Sequence, residues 1–436
     1  MNARREALRL LLRAEENGSF VNLLLPPRDS DGGEEARDRA LLCALLYGCV
    51  ERRLTLDYAI ATLTKRPSDS LSPHTRNLLR LGLYQLYFME RIPAFAAVSE
   101  SVSLAKNRGE TSLINACLRQ AAKGSPPLPP REKNAARYLS IAYSFPLPTV
   151  KLFLSLYGEE ETEALLRAFN APPSLTLRVN TLKLSREAYL SLLEERGIDA
   201  SPTAYSPFGV RLAESIDPTH LPLYREGGFF VQDEASQIEA LALGVRRGDT
   251  VLDACACPGG KSFSAAIEGG DCGRVIASDI SASKLPLIED GASRLSLSSV
   301  TARVLDARIP DESLLRKCDR VICDVPCSGL GVLGKKPDLR YLSLDRFDTL
   351  IPIQREILRA SAEAVKEGGV LVYSTCTLNP DENAGVVNAF LAENAAFAPV
   401  DFTAGALSSR CGMLTLLPHR EGTDGFFIAK LQRKRP

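Results

Sequence analysis

From Phe230 to the C-terminus short apolar runs alternate with helical stretches, and this alternation restricts the possible fold more than any other feature. Five runs read as buried strands: Thr250–Ala254, Arg274–Ile280, Val300–Leu305, Arg320–Val325 and Gly369–Ser374. Apolar strands separated by helices imply a mostly parallel, doubly wound sheet covered on both faces. The tail from Gly412 to Leu431, with a loop around Arg420–Asp424, reads as a terminal hairpin able to close such a sheet.

Two other patterns precede it. From Arg4 to Lys123 apolar residues recur at helical spacing, as in Leu8, Leu11 and Leu12 or Leu78, Leu81 and Tyr84. Ser72-Pro73 is a helix start and Gly124 a helix stop, and Ser125-Pro-Pro-Leu-Pro-Pro130 cannot continue a helix. Residues 131–230 mix helical segments (135–143, 149–170) with strand candidates at Leu175–Thr181 and Gly209–Leu212. With 436 residues the chain exceeds one ordinary core. The expected organisation is an all-helical domain over 1–124, a small α+β, RRM-like module over 131–230, and a Rossmann-like α/β domain over 231–436.

Composition excludes some classes. No apolar run approaches the roughly 18 residues of a membrane span, and Met1 to Glu16 is charged and Leu-spaced unlike a signal peptide, so a cytoplasmic protein is expected. Eleven cysteines without a CxxC pair, and three scattered histidines, favour reduced thiols and no metal site. The 53 basic residues balance 53 acidic ones, so a nucleic-acid partner would need a local basic face. Lys335, Lys336 and Arg340 form one such cluster.

The chemistry-bearing residues fall at strand ends. After Thr250–Leu252 comes Asp253-Ala-Cys255-Ala256-Cys257-Pro258-Gly259-Gly260-Lys261-Ser262, whose glycines let backbone approach a ligand at a helix N-terminus. Alone, such a turn is as consistent with tight packing. Asp279 lies 19 residues after Gly260, where doubly wound folds place a ribose-binding carboxylate, and Asp306 and Asp324 close the next two strands. Cys327 and Cys376 follow the fourth and fifth strands in polar loops, Asp324-Val-Pro-Cys-Ser-Gly329 and Tyr373-Ser-Thr-Cys-Thr377. If strand order reverses after the third strand, these loops are neighbours and both cysteines face one pocket. Cys43, Cys49, Cys117, Cys272, Cys318, Cys323 and Cys411 are read as small buried hydrophobes.

These motifs, with Phe230-Val-Gln-Asp-Glu-Ala-Ser-Gln237, Leu113-Ile-Asn-Ala-Cys-Leu-Arg119 and Leu177-Arg-Val-Asn-Thr-Leu-Lys183, resemble the NusB-fused cytosine-5 RNA methyltransferases of small-subunit ribosomal RNA, the Sun/Fmu or RsmB type, over almost the whole length. The resemblance implies a NusB-like first domain and transfer of a methyl group from S-adenosylmethionine to a cytosine of 16S ribosomal RNA, free or in a precursor particle, by a monomer. Carbon 5 of cytosine is a poor nucleophile until a thiolate adds to carbon 6. Carried over by position, Cys376 is that nucleophile, Cys327 assists release, and Asp324 binds the base beside the methyl donor. Residues Cys255 to Lys261, Asp279, Asp306 and Asp324 hold the donor.

The chain departs from the family pattern at Cys257 and Val325, where Ala is usual, at Ser262 for Thr, and at Tyr341 for a frequent Trp. Three other classes compete. A nicotinamide dehydrogenase leaves both cysteine motifs idle and lacks GxGxxG spacing. A non-catalytic RNA-binding assembly factor leaves the thiols and acids unexplained. A transfer-RNA methyltransferase shares the chemistry but is disfavoured by the NusB-like domain.

Overall fold

The computed structural model describes residues 2–17, 25, 34–214 and 216–435. It forms two compact units, Met1–Ala171 with Leu333–Leu342, and Pro172–Val332 with Ser343–Pro436.

Among the described residues of the first unit, eight helices run α1 (Ala3–Asn17), α2 (Glu34–Glu51), α3 (Arg53–Thr64), α4 (Pro73–Phe88), α5 (Ala94–Ser103), α6 (Arg108–Ala121), α7 (Ala135–Tyr143) and α8 (Leu147–Phe169). Ser72 caps α4 by accepting from Thr75 N, with Pro73 in the first turn, as the sequence signals. The chain leaves α6 at Ala121, three residues before the expected stop at Gly124. Leu8, Leu11, Leu45, Leu78, Leu81 and Leu118 bury their side chains in one core, each contributing about 1.5–3 kcal/mol. Gly48 permits the close approach of α2 to α4, because a Cβ there would lie 1.9 Å from the Tyr84 ring. The segment Leu333–Leu342, distant in sequence, packs in this unit through its Pro337–Tyr341 turn.

The second unit opens with a four-stranded antiparallel sheet in the order β2-β3-β1-β4, built from β1 (Thr176–Val179), β2 (Ala200–Pro202), β3 (Gly209–Leu212) and β4 (Phe229–Val231), with α9 (Arg186–Glu195) against it. Next come α10 (Glu234–Leu243), β5 (Thr250–Asp253), α11 (Gly260–Glu268), β6 (Arg274–Asp279), α12 (Leu285–Leu295), β7 (Val300–Val304) and β8 (Cys318–Asp324). The chain continues through α13 (Phe347–Ala364), β9 (Val365–Thr375), α14 (Ala384–Glu393), β10 (Phe397–Pro399), β11 (Thr403–Ala404), β12 (Leu407–Ser408), β13 (Met413–Leu416), α15 (Pro418–Glu421) and β14 (Phe426–Arg433).

The main sheet has the order β10-β14-β9-β8-β5-β6-β7, with β13 paired to β14. The five expected strands are present and parallel, and β14 adds antiparallel to β9, with β10 and β13 paired to its other edge. Order reverses between β5 and β8, so the carboxyl ends of both strands flank the crevice where open sheets bind ligands.

Candidate active site

The glycine-rich turn links β5 to α11. Gly259 caps α11 with φ 110°, a conformation that favours glycine, and a Cβ on it would meet the Phe263 ring at 2.4 Å. A cis peptide joins Cys257 to Pro258, Ala256 N donates to Ser278 O at 2.7 Å, and Gly259 N donates to Ala256 O at 2.6 Å. Gln232, from the Phe230–Gln237 motif, donates to Gly260 O and accepts from Ser264 Oγ, fixing the first turn of α11. Burial pushes the thiols of Cys255 and Cys257 up, which keeps both protonated and inert.

Asp279 ends β6 as expected. Its Oδ1 accepts from Ser281 N at 2.9 Å, while Oδ2 accepts from no group among the described residues, so one carboxylate oxygen is available to a pair of ligand hydroxyls. Asp306 stands two residues beyond β7, its carboxylate taken by a forked Arg308 interaction at 2.9 and 2.6 Å that holds its pKa down. A ligand amino group must displace Arg308 to reach it. The turn, the open oxygen of Asp279 and the acid at the β8 end together fit a polar nucleoside donor.

Asp324 ends β8 and forms a close ion pair with Lys261. Lys261 Nζ also lies 3.2 Å from Oε2 of Glu239 on α10, near enough for ion pairing though not aligned as a hydrogen bond. Burial works against the Lys261 charge, but Asp324 and Glu239 outweigh it and hold the ammonium protonated far above the usual lysine range. Glu239 is 1% exposed, and burial pushes its carboxyl up to about 8. Asp253, fully buried at the end of β5, is pushed up by burial to about 6, and its Oδ2 accepts from Ser262 Oγ at 2.7 Å. Ser374 Oγ is 2.8 Å from Glu239 Oε1 and 3.1 Å from Asp324 Oδ1.

The cysteine loops meet. Because β8 and β9 are adjacent and parallel, Cys327 Sγ and Cys376 Sγ come within 3.3 Å. The hydrogen bond with Cys376, then burial, raises the Cys327 thiol well above its ordinary value, so Cys327 keeps its hydrogen. Glu382, fully buried just before α14, braces both loops. It accepts from Ser328 N at 2.9 Å, from Ser328 Oγ, from Gln354 Nε2 at 2.9 Å and from Asn379 Nδ2 at 3.1 Å. Ser328 and Thr377, each the residue after a cysteine, share a 2.7 Å hydrogen bond.

Two expectations need correction. Arg340 is buried, not a surface phosphate contact: its guanidinium donates to Leu333 O, Glu51 O, Asn170 Oδ1 and Phe169 O within the helical unit, and burial lowers it to about 10. Lys335 and Lys336 are exposed. Tyr341 beside it is half-buried, donating to Val50 O at 2.7 Å beneath the Arg53 guanidinium. Of the cysteines read as buried, Cys411 is exposed in a turn at φ 53°, and Cys43 and Cys272 are only half-buried. Sequence reasoning missed Glu239, Ser374 and Glu382. The available signal for Glu239 was a lone acid among Ile238, Ala240 and Leu241 on a helix buried nearly all round. Glu382 could be read only as part of the Asn-Pro-Asp-Glu-Asn turn.

The chain matches three family models: 16S rRNA methyltransferase RsmB/F over residues 240–432, the NusB family over 1–123, and the ferredoxin-like domain of RsmF/B-like methyltransferases over 146–219. It is 37% identical to the probable ribosomal RNA small subunit methyltransferase B of Bacillus subtilis, covering 98% of each chain. To the Pseudomonas putida ribosomal RNA small subunit methyltransferase B it is 35% identical over 99% of this chain and 98% of the other. The crystal structure of PH0851 superposes with a TM-score of 0.79 at 25% identity, covering 99% of both chains. With likeness extending across the helical, ferredoxin-like and α/β regions at once, the chain belongs to the RsmB/F family of 16S rRNA methyltransferases, which use S-adenosylmethionine.

Proposed function

We propose that this chain methylates carbon 5 of one cytosine in 16S ribosomal RNA through a covalent bond between Cys376 and carbon 6. The 3.3 Å approach of the two sulfurs on adjacent strand ends carries this reading. S-adenosylmethionine supplies an electrophilic methyl group. The turn Cys255–Lys261, Asp279, Asp306 and Asp324 hold it, and Lys261 fixes Asp324 beside the base.

Cys376 attacks carbon 6. Cys327, whose thiol stays protonated, donates a hydrogen bond to the Cys376 sulfur as the carbon–sulfur bond breaks, and so assists release. Glu382 keeps the two sulfurs in register. Lys335 and Lys336, without Arg340, supply RNA phosphate contacts. The functional division follows residues 1–124, 131–230 and 231–436, with the first recognising RNA and the last carrying the chemistry. The protein acts in the cytoplasm as a monomer on free rRNA or a precursor particle.

Bisulfite sequencing of ribosomal and transfer RNA from cells with and without this protein tests the substrate: one 16S cytosine should lose its mark. A lost transfer-RNA mark instead would overturn the substrate. Cys376→Ala should bind RNA and donor yet form no adduct. Cys327→Ala should methylate once and remain joined to RNA in denaturing electrophoresis.

A further inference from the structure

Ser374 has one hydroxyl hydrogen and two carboxylate neighbours, Glu239 Oε1 at 2.8 Å and Asp324 Oδ1 at 3.1 Å. With both acids ionised it can satisfy one of them, and the other contact sets two lone pairs against each other. The two acids also share one cation, Lys261. Among the described residues, Asp253 at the end of β5 adds negative charge near this cluster, and the Cys323 thiol, pushed up by burial and so protonated, faces the same acids. A proton on Glu239 resolves the arrangement: Glu239 then donates to Ser374 Oγ, and Ser374 donates to Asp324 Oδ1. Glu239 is the most enclosed of the pair, at 1% exposed, and its Oε2 accepts no hydrogen bond, both of which favour its neutral form.

We infer that Glu239, Ser374 and Asp324 form a proton relay that lends one proton to the ring nitrogen of the target base and takes it back, with Glu239 as the reservoir. This rests on the cytosine-5 reading of the site. As the Cys376 thiolate bonds to carbon 6, the displaced electron pair of the carbon 5–carbon 6 double bond is taken up through carbon 4 at nitrogen 3. Nitrogen 3 takes up a proton through Asp324, to which the Glu239 proton passes in the same motion through the Ser374 hydroxyl. Carbon 5 then takes the methyl group, the donor leaving as the neutral thioether, and carbon 5 loses its own proton to solvent. When the carbon–sulfur bond breaks, the thiolate departs and nitrogen 3 returns its proton along the same path. The relay therefore ends each turnover in its starting state. Glu239 touches neither base nor donor and is a positioning residue and proton store.

The test is single-turnover methylation of 16S RNA transcript by the full-length protein across pH 6 to 9.5, comparing wild type with Glu239→Gln and Ser374→Ala. Wild-type rate should fall above about pH 8, where the store empties. Glu239→Gln should bind S-adenosylmethionine with unchanged affinity, run at least about tenfold slower at pH 7, and lack that alkaline fall. Ser374→Ala should match it. A Glu239→Gln protein within about twofold of wild type at pH 7 and keeping the same alkaline limb overturns the relay while leaving the cytosine-5 reading intact. Wild-type protein that labels only another RNA atom overturns both.

Discussion

Each unit holds a buried charged cluster, and the two are built on opposite plans. In the helical unit, Arg80 makes a fork with Asp57 at 2.7 Å on both arms, and Arg76 pairs with Glu15, which also accepts from Asn77 Nδ2 at 2.6 Å. Every cation there has its own carboxylate, and Glu15 is held below the usual carboxylate range despite its partial burial, by Asn77 and Arg76. In the α/β unit Lys261 is divided between Asp324 and Glu239, with Asp253 nearby. The first arrangement satisfies its charges and serves the fold. The second leaves excess acid in a dry place, which costs stability and yields groups that titrate near neutral pH.

Removing the cations should separate the two plans most strongly. Lys261→Met should abolish methyl transfer and cost about 3–5 kcal/mol at about pH 9.5, above the value near 8 of Glu239, and less at pH 5.5, where the acids it leaves bind protons. Arg80→Met should cost a similar amount yet leave S-adenosylmethionine affinity unchanged. Urea unfolding and calorimetry at both pH values check the pair. Equal losses at the two pH values for Lys261→Met would break the comparison.

Glu239 sharpens it. A carboxyl whose folded pKa lies near 8, above its unfolded value near 4.5, contributes stability that is complete below 4.5 and is lost as pH rises toward 8. Relative to Glu239→Gln, wild type should therefore lose on the order of 2–4 kcal/mol between pH 5 and pH 9. Thermal unfolding followed by circular dichroism reads this directly, and parallel pH profiles would contradict it. At the ligand, Asp279→Ala should weaken S-adenosylmethionine binding by about 1.5–3 kcal/mol without changing the unfolding midpoint, as calorimetry can show. Glu15→Gln should give the smallest effect and the reverse sign. Its depressed pKa contributes stability above the unfolded value that is lost on acidification, under about 1 kcal/mol because solvent screens it.

What could be read in advance follows the range of the interactions. Helices, strands and caps rest on local periodicity, so β3 begins and ends at the expected residues, Gly209 and Leu212, and Ser72 caps α4. The two cysteines were legible because parallel neighbours bring equivalent strand ends together. The role of Arg340 was not, because its partner Glu51 lies 289 residues away and a guanidinium among Lys335 and Lys336 reads as surface charge. Glu239 and Ser374 are 135 residues apart, and no local pattern announces that they meet.

The segment Leu333–Leu342 bears on how the protein is made. Its residues are translated after most of the α/β strands, yet Arg340 and Tyr341 complete the interior of the helical unit by donating to Glu51 O and Val50 O. Domains usually fold from the N-terminus as they leave the ribosome. The first unit should therefore stay incomplete, with carbonyls on α2 and the end of α8 lacking these donors, until the polypeptide has grown past Tyr341. Nascent chains halted before that point should be open to proteases around Glu51 and Phe169, and chains halted after it should be closed.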